Sequence, residues 1–110
     1  MNLKVKVMNP REYTEDEVRK LFLDHVKSLV EYVEKQPMDS KEKLNRLAFC
    51  ILSTIDGSSM DFPAFILAPY PSEGDKQFYI DNDKNYYPEN NSPNVNCDIA
   101  GNLHELFYNE

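Results

Sequence analysis

The sequence predicts an α+β fold: two antiparallel N-terminal helices and a short C-terminal helix packed on a small, mainly antiparallel sheet. Three observations carry that expectation. Apolar residues recur every three or four positions through two capped segments that precede Gly57. Beyond Gly57 the pattern changes to short apolar runs bracketed by proline. The chain has 110 residues, 41% of them hydrophobic, enough to bury one core and in keeping with a single domain over residues 1–110.

Residues 3–8, LKVKVM, alternate apolar and basic side chains. They read as an edge strand whose lysines discourage further pairing, although Pro10 follows closely and residues 1–12 read equally as a flexible terminus. Thr14-Glu15-Asp16-Glu17 opens the first helix, with Thr14 and Glu17 spaced as a capping box and three acids at the positive end of the helix dipole. Val18, Leu21, Phe22, His25, Val26, Leu29, Tyr32 and Val33 form its stripe, and Pro37 stops it.

Asp39 or Ser40 caps a second helix. Its stripe is Leu44, Leu47, Ala48, Ile51, Leu52 and Ile55, widened by Phe49 and Cys50 until the second half is apolar nearly all round. Such a helix is expected to lie buried at the centre, closed by Gly57. The short linker Gln36-Pro37-Met38 makes the two helices antiparallel neighbours.

Phe62–Ala68 and Gln77–Ile80 are the candidate strands, joined by a Pro- and Gly-containing hairpin loop. Residues 81–97 are rich in Asn, Asp, Pro and Ser and read as a long loop with Tyr86 and Tyr87 tucked beneath it. Asp98 caps a final helix with Ile99, Leu103, Leu106 and Phe107 on one face, weakened by Gly101.

The net charge of −7 is unevenly distributed. Residues 1–55 carry 10 Lys and Arg against 9 Asp and Glu, a net of +1, whereas residues 56–110 carry 2 against 10, a net of −8. An acidic surface of this kind repels nucleic acid and anionic membrane, so neither is an expected partner; a basic or polar protein, or another copy of the chain, is. The N-terminus has no apolar run of signal-peptide length, and no segment approaches the ~18 apolar residues that span a bilayer. The expected location is therefore cytoplasmic, with Cys50 and Cys97 as reduced thiols.

Four tracts hint at chemistry and each falls short. Asp81-Asn82-Asp83-Lys84-Asn85 starts like a calcium loop, with oxygen ligands at alternate positions, but Tyr86 stands where the turn needs glycine and Ser92 where a bidentate glutamate belongs. Cys97 lies near an expected helix start, yet His104 is two helical turns away, too far for a local thiolate–imidazole pair. His104-Glu105 begins a zinc-protease helix, but Tyr108 occupies the position of the second histidine. Asp56-Gly57-Ser58-Ser59 has neither the preceding strand nor the lysine of a phosphate loop. No catalytic residue, metal or cofactor is expected. Asp56, Asp61, Asp81, Asp83, Asp98, His104 and Glu105 remain as candidates for a ligand or partner surface. Tyr70, Tyr79, Tyr86, Tyr87 and Tyr108 suit either an interface or completion of the core, with core the commoner outcome.

The tract Leu47-Ala48-Phe49-Cys50-Ile51-Leu52, followed by Ile55-Asp56-Gly57, Pro63-Ala64-Phe65 and Asp98-Ile99-Ala100-Gly101-Asn102-Leu103-His104-Glu105, resembles a group of small uncharacterised bacterial proteins with a helix ending in Asp-Gly and a C-terminal Leu-His-Glu helix. The likeness covers residues 44–108. It implies a compact fold and transfers no catalytic residue.

These features lead to one expectation of function and two rivals. The first is a non-catalytic binding or regulatory module that presents its acidic, tyrosine-rich second half to a partner. The rivals are a DNA mimic of the anti-restriction type, whose carboxylates imitate phosphates, and a small metal-dependent hydrolase using Asp56, Asp98, His104 and Glu105.

Overall fold

The computed structural model describes residues 9–90 and 94–109. Among these residues there are four helices: α1 (Glu15–Glu34), α2 (Ser40–Ile55), α3 (Asp75–Asp81) and α4 (Leu103–Tyr108). No strand and no sheet occur among them, so the expected α+β architecture is replaced by a helical one. The reason lies in the two candidate strands. Phe62–Ala68 is irregular backbone that joins no strand ladder among the described residues, and Gln77–Ile80 lies inside α3. An isolated extended run leaves its backbone donors and acceptors unpaired, whereas a helical turn satisfies its own. The edge strand expected at residues 3–8 falls outside the described residues.

The chain divides into two units. The first unites the residues up to Ser28 with those from Cys97 onward; the second is the continuous stretch Leu29–Asn96. Helix α1 contributes to the first as far as Ser28 and to the second from Leu29.

In the first unit the capping box forms as its spacing predicts. Thr14 Oγ1 accepts from Glu17 N at 3.2 Å, and Glu17 Oε1 accepts from Thr14 N at 2.9 Å. Arg11 adds a two-pronged ion pair to the same carboxylate, at 2.8 and 2.7 Å. The guanidinium of Arg11, helped by the Thr14 N–H, holds the Glu17 carboxyl well below its ordinary 4.5, at about 2. Because the folded value is depressed, this clamp contributes stability that is full above about 4.5 and is lost as pH falls through about 2. An NMR titration of the Glu17 side chain is therefore expected to inflect near pH 2, and an inflection near 4.5 would show that the clamp does not form in solution.

Arg19 is the tie of this unit. It bonds Glu15 at 2.6 Å and Asp16 at 2.7 Å within α1, and its Nε donates to Ile99 O at 3.0 Å across 80 positions of sequence. Ile99 itself is buried, and Lys27 Nζ sits 5.8 Å from the Phe107 ring centroid. The last helix begins later than expected. Gly101 adopts a φ of 134°, which interrupts the helical path, so α4 starts at Leu103 behind Asn102, while Asp98 instead accepts from Ala100 N at 3.0 Å. Ile99 thus anchors the approach to α4 rather than its face.

In the second unit, Asp39 caps α2 by accepting from Glu42 N at 2.8 Å. Lys43 Nζ donates to Glu34 O at 2.6 Å, tying the first turn of α2 to the last turn of α1. Val33 and Thr54 are the buried residues here, and the Thr54 hydroxyl donates to Cys50 O one turn back. At the far end, Gly57 N bonds Thr54 O and Ser58 N bonds Ser53 O, the paired bonds of a Schellman cap, with Gly57 at a φ of 85°. This turn folds the following chain back so that Phe65 N donates to Ile55 O at 2.9 Å.

The expectation that α2 is buried all round is not met. Leu47, Cys50, Ile51, Thr54 and Ile55 face inward, but Leu44, Phe49 and Leu52 are 57–68% exposed.

Candidate functional site

A concavity lined by tyrosines lies in the second unit, around α3. Ser72 N donates to Asp75 Oδ2 at 2.7 Å, and Gly74, at a φ of 90°, turns the chain into the helix. Beyond Asp81 the chain reverses. Asp83 takes a left-handed φ of 55°, Asp83 N bonds Ile80 O, and Lys84 N bonds Tyr79 O at 2.9 Å. This reversal lays residues 84–90 back along α3. The Tyr87 ring meets Tyr79 edge-on at 6.2 Å, Lys76 Nζ sits 5.1 Å from the Tyr86 centroid and 4.0 Å from Glu89, and Asn90 Nδ2 donates to Pro69 O at 2.5 Å.

The result is an open groove of about 230 Å³ lined by Pro69, Tyr70, Pro71, Asp75, Tyr79 and Tyr87. Tyr70 and Tyr87 are 69% and 58% exposed, so each ring keeps a face open to solvent. Tyr86 and Tyr108 are likewise exposed and Tyr79 is half-buried, so four of the five tyrosines expected to complete the core face solvent instead. The sequence does not show the groove, because the residue types of Gln77–Ile80 favour a strand and only the helical form places Asp75 and Tyr79 one turn apart on one side.

The acidic candidates fall in several places. In the second unit, Asp56 is the C-cap of α2 and Asp61 donates its N–H to Ser59 Oγ at 3.1 Å. Asp81 and Asp83 sit at the end of α3, where the Asp81 carboxylate is taken by Gln77 Nε2 at 2.8 Å. In the first unit, Asp98 precedes Ile99, and His104 and Glu105 are exposed neighbours on α4 with Nε2 and Oε1 3.7 Å apart. Cys97, with a left-handed φ of 62°, lies ahead of Asn102 and not at a helix start. Among the described residues no group of three or more His, Cys, Asp or Glu side chains is placed to hold a metal ion. No helix among them is long and apolar enough to cross a membrane.

Compared with known proteins, the chain matches no family model, no curated protein and no solved structure.

Proposed function

We propose that this protein is a binding module whose tyrosine- and proline-lined groove takes an extended, basic peptide segment of a protein partner. The observation that carries this reading is the groove itself: three tyrosines and two prolines beside one aspartate. Flat rings with polar tips suit an extended chain, because they give contact area at little conformational cost and leave hydroxyls free for backbone carbonyls. Charge selects the sign of the ligand. Residues 69–90 carry five acids, Glu73, Asp75, Asp81, Asp83 and Glu89, against Lys76 and Lys84. A peptide bearing Arg or Lys is drawn to that field, and an acidic one is repelled.

The test is titration with a proline-rich peptide containing two or three arginines, followed by tyrosine fluorescence, since the chain has 7 Tyr and no Trp. Binding is expected with a dissociation constant on the order of 10–100 μM, weakening with added salt. Tyr70→Ala and Tyr87→Ala, both at exposed rings, are each expected to weaken it about tenfold, the loss of one aromatic anchor. Equal binding of an acidic peptide of the same length, or no change in either variant, would remove the groove from consideration.

A further inference from the structure

We propose that the outward face of α2 is the interface of a twofold homodimer in which the α2 helices of two copies pack antiparallel. Leu44, Ala48, Phe49 and Leu52 lie on this face with Asn45 between them, and every one of the five is exposed. At 100° per residue they span an arc of about 140°. The arc is closed at the N-terminal end by Lys41 and at the C-terminal end by Asp56, both also exposed and neither in an ion pair among the described residues.

That pattern complements itself when reversed. A twofold axis between Ala48 and Phe49 sets Ala48 of one copy against Phe49 of the other and Leu52 against Asn45, one position from Leu44. The small side chain makes room for the large one. The same axis sets Lys41 against Asp56 at both ends of the pair. A parallel pairing would instead oppose lysine to lysine and aspartate to aspartate, so charge selects the antiparallel one. An open hollow of about 430 Å³ lined by Met38, Glu42, Asn45, Arg46 and Phe49 borders the stripe, where Leu52 of the second copy inserts beside Asn45. The inward residues of α2 are already buried or half-buried, so a second copy supplies the neighbour that the outward stripe lacks.

The 16-residue helix is about 24 Å long, and one such helix per chain makes a contact at the small end of specific interfaces. The dimer is accordingly weak, with a dissociation constant on the order of 10–100 μM. Sedimentation equilibrium of the full chain from about 1 μM to about 1 mM brackets that range and is expected to show the mass rise from one to two copies.

Lys41→Asp leaves an aspartate at both ends of the face, and Asp56→Lys leaves a lysine at both ends. Each variant alone is expected to dimerise about tenfold more weakly, and an equimolar mixture is expected to recover the wild-type affinity as a heterodimer. Both substitutions favour the helix dipole, an acid near the N-terminus and a base near the C-terminus, so weakened association cannot be ascribed to loss of the helix. Leu52→Asp is expected to be monomeric throughout the concentration range, with unchanged helical circular dichroism. A wild-type chain that stays monomeric to about 1 mM, a Leu52→Asp variant that dimerises like wild type, or a mixture no stronger than its two components would each overturn the proposal.

Discussion

Replacing Gly57 with alanine is expected to lower the free energy of unfolding by about 2–4 kcal/mol, a large part of the total for a small domain. Two physical effects add. Gly57 closes α2 at a φ of 85°, where an L side chain costs about 1 kcal/mol. A methyl group there would also lie 2.7 Å from Ala64 Cβ and 3.0 Å from the Ala64 backbone. That backbone is held by the Phe65 N to Ile55 O bond, so relieving the clash means loosening the return of the chain onto α2, a further cost of about 1–3 kcal/mol. Gly74 provides the internal control. Its φ is 90° but nothing lies within 4 Å of its absent Cβ, so Gly74→Ala is expected to cost only the conformational part. Urea denaturation of the two variants separates the effects. Equal losses would mean that the approach of Ala64 to Gly57 does not persist in solution.

Ile99→Ala is expected to cost about 2–3 kcal/mol in the same measurement. Ile99 is a buried apolar residue of the first unit, at 8% exposure, and its carbonyl is held by Arg19 Nε at 3.0 Å. Truncation removes the side chain that fills this site while leaving the hydrogen bond, so the loss reports packing alone. A cost below about 0.5 kcal/mol, typical of surface positions, would show that the segment ahead of α4 is not packed in solution.

Much of the helical part was legible in the sequence, because its signals are local. Thr14 with Glu17, Asp39 with Glu42, and Gly57 after Ile55 are caps whose meaning depends on neighbours within four positions, and each forms as its spacing predicts. The strands failed for the opposite reason. A strand is defined by its partner, and the sequence offers no way to check that a partner exists. Phe78, Tyr79 and Ile80 favour a sheet by residue type, but with no strand beside them among the described residues they close a short helix between Asp75 and Asp81. The aspartate that accepts from Ser72 N and the Gln77–Asp81 pair one turn apart were the available signs of that helix.

The same contrast explains the site. Acidic residues and tyrosines were visible as a composition bias over the second half, but the groove depends on the reversal at Asp83, which swings Tyr87 onto Tyr79. Likewise, the sequence shows the apolar girth of α2 but not how much of it is covered. Periodicity reports how much of a helix is greasy, not how many neighbours the fold supplies to cover it.

The division of the chain has a consequence for the order of its assembly. Residues 29–96 are contiguous, so their contacts close short loops at little entropic cost. The bond from Arg19 to Ile99 instead joins positions 80 apart and closes a far longer loop. Ordering the intervening stretch first shortens that search, so the contacts within residues 29–96 are expected to form before the Arg19–Ile99 bond.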